Sequence, residues 1–557
     1  MKPIKTIVFA SIAIASLLNS PIAQAQNKNN TEEKLTPKKG AIKETDLIRW
    51  SHLDLVNDTI PGMSVDKAYT EILKGKKEKK IIVGVIDSGL DIDHEDLKGK
   101  IWTNKKEIPA NNLDDDKNGY IDDVHGWNFL GEATNENLEL TRIVKKGDDG
   151  SKEYQLAKAE LEKKLAEMNQ QKPQLDMIDR ANKAIQKFLN KEKYTREDLQ
   201  TIKTTDAVVN QGKMIMTNIA NQAGPGFQEE IQSYLDYIYD NLNYNLNTTF
   251  DGRKAVGDNP EDINDTKYGN GNVKGPDVED ALHGTHVAGI IAQIRGNDKG
   301  GDGVVAKNIE IMPIRAVPNG DEYDKDIALA IRYAVDNGAK VINGSFGKDY
   351  SPHKEWVWEA IKYAASKDVL IVHAAGNDAQ DNDTGANFPK AKYEDGGKCT
   401  TWIEIGASSP NETNLAADFS NYGKTTVDVF APGVDIYSTV PNAEYKDNSG
   451  TSMAAPVVAG VAAAILSYYP NLSGSDLKQI LMQSATVYKD ASTVKFVERK
   501  AMGRFFAKIF ISKKKDAESE PSRRTYKLKE VKFSEYSVTG GVVNMYEAVK
   551  LAEKWGK

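Results

Sequence analysis

Apolar positions along the chain follow two different rhythms. Short, continuous apolar runs occur at residues 81–86, 309–316, 340–343 and 369–374. Runs that do not alternate with polar residues fit strands buried on both faces. Between them, residues 326–337 and 354–366 read as helices, and strand and helix alternating at this spacing predict a parallel sheet with helices on both sides. The middle of the chain changes period. Tyr154, Ala157, Leu161, Leu165 and Met168 recur every three or four residues, which is one stripe of an amphipathic helix. Leu175, Ile178, Ile185 and Phe188 carry the stripe past Pro173, Thr195 and Asp198 suggest a capping box, and Ile231, Leu235, Ile238 and Leu242 mark another helix.

These patterns predict an α/β fold with three layers, a mostly parallel central sheet and a helical insertion at about 141–245. The main domain is expected to span 46–551, with an exposed charged loop at about 513–529 and a C-terminal tail at 552–557. At the other end, Lys2 and Lys5 precede an apolar run at 7–18, and Ala23-Gln24-Ala25 supplies small residues before Gln26. This reads as a signal peptide, 1–25, cleaved after Ala25. The run is shorter than the roughly 20 residues that cross a bilayer, so no stable membrane anchor is expected and the protein would be secreted or periplasmic. Residues 26–45 are polar and read as a linker or short pro-segment.

Composition narrows the classes further. Hydrophobic residues make up 39% and charged residues 28% of 557 positions, which suits a soluble globular core. A net charge of −8 gives no bulk attraction to phosphates, so no nucleic acid partner is expected. The single cysteine, Cys399, excludes an intrachain disulfide. An exported chain without disulfides needs another staple, and calcium is the natural candidate. Asp114, Asp116 and Asn118 place oxygens at alternate positions, Gly119 stands sixth, Tyr120 seventh and Asp122 ninth, as in the first half of an EF-hand loop. His125 stands where that loop would carry its bidentate Glu, so a calcium loop and a plain acidic turn are both open.

Three segments carry candidate chemistry. Asp87-Ser88-Gly89 ends the first buried strand, where open α/β sheets place functional groups. His283-Gly284-Thr285-His286 starts a helix, and Gly450-Thr451-Ser452 starts an apolar one in which Pro456 sits within the first turn. A serine hydroxyl needs a base within hydrogen-bond reach, and that imidazole needs a carboxylate to fix its tautomer. His283 and His286 could alternatively hold zinc, but no third ligand motif accompanies them.

With Asp, His and Ser in this chain order, the sequence resembles the subtilisin-like serine peptidases, or subtilases, from about Trp50 to Leu551 apart from its insertions. The resemblance implies an exported endopeptidase acting on protein or peptide substrates through an acyl-enzyme. Ser452 would be the nucleophile, His283 the base, Asp87 its orienting carboxylate and Asn377, in Ala374-Ala375-Gly376-Asn377, the oxyanion donor. It assigns His286 a structural role. It also implies that Ser345, Phe346 and Gly347 bind the substrate backbone, that these residues and Ala374 to Gly376 wall the primary specificity pocket, and that Asn387 closes its base. Asp96 matches a family calcium ligand, although the partner loop at 296–300 matches poorly. A peptide ligase on the same scaffold and a catalytically silent binding protein are the rival readings. The sequence departs from compact relatives in the 196 residues between Asp87 and His283, and 26–45 is too short for a folded inhibitory propeptide.

Overall fold

The computed structural model describes residues 32–33, 43–224, 226–393, 396–410, 415–488, 494–496 and 529–555. The expected leader at 1–25 lies outside the described residues, as do most of 26–45 and of the charged stretch 513–529.

Ten strands form one sheet. From edge to edge they are Glu32–Glu33, Thr486–Tyr488, Gly541–Val542, Val429–Pro432, Trp402–Ser408, Leu370–Ala374, Val341–Gly344, Ile81–Asp87, Ile309–Arg315 and Trp127–Asn128. All neighbours run parallel except Thr486–Tyr488 against Gly541–Val542. The chain places its second long strand, Ile309–Arg315, on one side of Ile81–Asp87 and its third, Val341–Gly344, on the other. Strand Ile81–Asp87 therefore sits where the winding reverses, and the crevice at its carboxyl end is the natural binding position in such a sheet.

Two-sided burial explains the apolar runs. Val83, Val85, Ile311, Val341 and Val372 face one core with helices Leu282–Ala292 and Thr451–Tyr468. Ile86, Met312, Ile314, Ile342 and Ile371 face the other with helices Asp324–Asp336 and Lys354–Ser366. Each such side chain, once fully buried, stabilises the fold by roughly 1.5–3 kcal/mol before entropy is counted. Helix Thr451–Tyr468 is apolar and long enough to cross a membrane, yet it lies buried within this core.

The region from 139 to 240 is helical: Glu139–Lys146, Lys152–Leu189, Arg196–Thr201, Ala207–Ala223 and Phe227–Asp240. It has its own core of Leu161, Leu175, Ile185, Met216, Ile231 and Leu235, separate from those of the sheet. Helix Lys152–Leu189 runs through Pro173 without a break, and Phe188 departs from the expected stripe by facing solvent. Thr195 and Asp198 form a reciprocal capping box. The expected tail at 552–557 is part of the fold as far as it is described, since Ala552 closes helix Met545–Ala552 and the Trp555 indole donates to Asp476 at 2.9 Å.

Candidate active site

Asp87 ends its strand, and Ser345 and Asn377 follow the ends of the next two parallel strands, so the sheet itself sets their spacing. Asp87 is buried, and its Oδ1 accepts from the Ser88 amide at 2.8 Å and from His283 Nδ1 at 2.7 Å. The carboxylate fixes the proton on Nδ1 and leaves the Nε2 lone pair available. Burial disfavours the charged ring, but the adjacent Asp87 charge and hydrogen bond outweigh it, so the His283 pKa lies above its ordinary value of 6.5. Gly284 permits this approach: a Cβ there would collide with the Gly89 carbonyl and crowd Asp87.

Ser452 stands in the first turn of helix Thr451–Tyr468, where backbone N–H groups lack intrahelical acceptors. Its hydroxyl rests 3.4 Å from the Ser345 carbonyl, and among the described residues it makes no hydrogen bond to His283. Ser345 Oγ in turn donates to the Ser452 carbonyl at 3.0 Å and accepts from Asn343 at 2.9 Å. The Asn377 side-chain oxygen accepts from the Thr451 amide at 2.8 Å and its hydroxyl at 3.0 Å. That pairing directs the Asn377 NH₂ group away from Thr451, as an anion donor requires. The same hydroxyl accepts from the Gly376 amide at 3.1 Å.

Two positioning groups carried no sequence signal of this role. Thr451 lies in the Gly-Thr-Ser motif, which by itself gives it no role. Asn421, far along the chain, accepts from the amides of Asp378 and Gln380 and donates to the Ala375 carbonyl, which braces the loop bearing Asn377. Gly376 is at φ 103°, and a side chain there would strike Asn421.

Ser452, Asn377, Ser345 to Gly347, Ala374, Gly376 and Asn387 line one cavity of about 420 Å³. Ala375 is buried behind it, and its carbonyl accepts from Asn387 Nδ2 at 2.9 Å. Asn387 Oδ1 lies 3.0 Å from where a Gly347 side chain would begin, so the amide spans the space between these walls. Asp321, Asp349 and Asp378 also line the cavity, together with Lys164 and Lys348. Burial, together with Glu160, Asp378 and Asp321, pushes the Asp349 carboxyl up to about 6.

His286 is buried with Nε2 at 2.9 Å from the Lys446 carbonyl, and burial lowers its pKa to about 4. Among the described residues, neither His286 nor His283 belongs to a cluster of three His, Cys, Asp or Glu side chains close enough to share an ion.

The acidic loop differs from its expected ligand set. Carboxylate oxygens of Glu107, Asp114 and Asp116 lie within 4.8 Å of one another. Glu107 is buried, and its Oε2 has no hydrogen-bond partner among the described residues. Asp122 turns away because its left-handed backbone directs its oxygens to the amides of Asn111 and Asn112. The Asn118 side-chain oxygen accepts from the Tyr120 amide and its NH₂ donates to Asp123. Asp96 is buried, with Oδ1 accepting from Asn297 and Oδ2 unpaired among the described residues.

A sequence model of the subtilase family matches residues 78–505. The chain belongs to the subtilase family. The thermophilic serine proteinase of Bacillus sp. (strain AK1) is 44% identical over 204 residues, which are 36% of this chain and 46% of that one. The cell wall-associated protease of Bacillus subtilis (strain 168) is 41% identical over 210 residues, 37% of this subtilase and 22% of the relative. Subtilisin DY of Bacillus licheniformis is 37% identical over 210 residues, 38% of this chain and 72% of that protein. The matches thus span less than half the length of the first two relatives.

Proposed function

We propose that this subtilase is an exported serine endopeptidase that cleaves peptide bonds through an acyl-enzyme on Ser452. The observation that carries the reading is the 2.7 Å Asp87–His283 pair, together with one cavity lined by both Ser452 and Asn377. Rotation of the Ser452 side chain off the Ser345 carbonyl lets His283 Nε2 take its proton while Oγ attacks the scissile carbonyl. Such contacts are often loose in a free enzyme and tighten on substrate. The Asn377 NH₂ and the Ser452 amide would receive the oxyanion, already oriented and at no cost of reorganisation. His283 then returns the proton to the leaving amine as the C–N bond breaks. Water, deprotonated by the same ring, releases the acid.

Ser345 to Gly347 would pair with the substrate backbone as an added strand, which selects extended peptides. Asn387 would close the primary pocket with a neutral amide, favouring Leu or Met over Lys and Arg. Asn387→Gly should shift preference toward Phe and Tyr, and Asn387→Asp toward basic residues. Calcium would be held structurally by Glu107, Asp114 and Asp116, whose hard oxygens and orphaned Glu107 Oε2 suit that ion. Export rests on the apolar run at 7–18 and the small residues before Gln26.

The test is digestion of a peptide library by the wild type and by Ser452→Ala. Cleavage by the wild type alone supports the reading. Joined rather than hydrolysed peptides would make the enzyme a ligase, and equal profiles would remove Ser452 from the mechanism.

A further inference from the structure

The helical insertion reaches the substrate cavity through its first residues. Leu138, Leu140 and Lys164 line the same cavity as Ser452 and Asn387. Leu138 is half-buried, and its amide donates to the Asn245 carbonyl at the far end of the insertion. Between the two leucines stands Glu139, fully enclosed, whose amide donates to Asp321 at 2.7 Å. Its Oε2 accepts from Arg142 at 2.6 Å and from Lys348 at 2.8 Å. Lys348 directly follows the Ser345 to Gly347 segment and also meets Asp324 at 3.0 Å and the Glu322 carbonyl at 2.7 Å. Arg142 donates to the Asp321 and Glu322 carbonyls. One buried carboxylate therefore ties the insertion to both loops that border the cavity. Farther along, Tyr350 donates to Glu160 of helix Lys152–Leu189 at 3.0 Å, so the attachment has a second point.

We propose that residues 138–142 are a substrate-selecting wall, in which Leu138 contacts an apolar side chain on the acyl side of the scissile bond and Leu140, buried in the insertion's own core, backs it. Glu139 is the positioning residue that keeps this wall in register with the substrate strand through Lys348. The residues of the primary pocket and Leu138 line one cavity, so an extended peptide anchored in the pocket has Leu138 within the same cavity. A short ester that fills the primary pocket alone does not reach it. This inference rests on the endopeptidase reading above.

The experiment compares a short single-residue ester with a longer peptide ending in the same residue, in wild type, Leu138→Ser, Leu138→Trp, Glu139→Asp and Ser452→Ala. Wild-type turnover of the ester, lost in Ser452→Ala, establishes Ser452-dependent acyl transfer independently of the wall, and Ser452-dependent cleavage of the longer peptide establishes the peptidase reading. For the wall, Leu138→Ser and Leu138→Trp should each raise KM for the peptide about tenfold, with kcat for the ester within twofold of wild type. Glu139→Asp keeps the charge but shortens the tether, and should raise the peptide KM severalfold while leaving the ester unchanged. Replacing the peptide's apolar side chains with Ser should erase the difference between wild type and Leu138→Ser. Equal changes for ester and peptide would overturn the proposal, since they would mark a general structural role. Peptide KM values indistinguishable from wild type in both Leu138 variants would overturn it too.

Discussion

The proposed catalytic floor and the helical insertion are fixed by opposite means. The floor hangs from strand ends of one buried sheet, and apart from the Asp87–His283 pair its braces are neutral: the Thr451 hydroxyl, the Asn421 amide and backbone N–H groups. The insertion has a separate core and is rooted through buried ions, with Glu139 between Arg142 and Lys348. Just beyond it, Arg253 is held by Asp258 and Asp326. Neutral braces on a rigid sheet tolerate changes of charge state. Buried ion pairs do not, because removing one partner strands the other without solvent. Chemistry and attachment should therefore fail separately.

The largest separation is expected at the proposed triad. Ser452→Ala and His283→Ala should each lower kcat by about 10⁶-fold, and Asp87→Ala by somewhat less, magnitudes established for subtilisin itself. Their melting temperatures should stay near wild type, and a collapse in stability would mean that the floor is not held as described. The converse variant is Asp326→Ala, which leaves Arg253 buried beside a single carboxylate. It should cost about 3–5 kcal/mol in denaturant unfolding, while kcat for a short ester remains within a few-fold of wild type.

Within the floor, Asn377→Ala should lower kcat by on the order of 10²–10³-fold, again the magnitude known for subtilisin. Thr451→Val should cost less, because it misorients the amide without deleting it, and KM should move little in either. Calcium sharpens the comparison from outside both regions. At a free ion concentration about a hundredfold above Kd, binding adds about 2.7 kcal/mol of stability. EDTA should thus lower the melting temperature of the wild type and leave Glu107→Gln unaffected.

pH gives the smallest effect, with opposite signs in the two regions. His283 has a raised pKa, so its pairing with Asp87 stabilises the fold below 6.5 and that contribution is lost as pH rises through the raised value. Turnover runs the other way, because only the neutral ring acts as base, and its acid limb should lie above pH 6.5. Burial alone would raise the Glu139 carboxyl, but Arg142 and Lys348 hold it to about 2. Its stabilisation is present above 4.5 and disappears as pH falls toward 2, so the insertion's root should loosen only in strong acid.

The sequence shows the sheet clearly because two-sided burial writes itself as continuous apolar runs, and the proposed triad is legible because each member sits in a local motif. Glu107 carries no such signal. It lies outside the repeating loop pattern, and only folding brings it to Asp114 and Asp116. Asp122, at a good position in the motif, is turned aside by one left-handed residue conformation. Asn421 and Lys348 act through long-range contacts that leave no periodic trace. Residues 141–245 read as helical from spacing alone, but their buried root at Glu139 and Arg142 straddles the expected boundary.

The central claim is that Ser452 is the activated nucleophile, and the most direct measurement is labelling of the full chain with a fluorophosphonate probe followed by peptide mass spectrometry. The account predicts one adduct, on Ser452, that forms far more slowly in His283→Ala and is absent from Ser452→Ala. A folded, peptide-cleaving protein that takes no label on Ser452, or labels equally without His283, would contradict it.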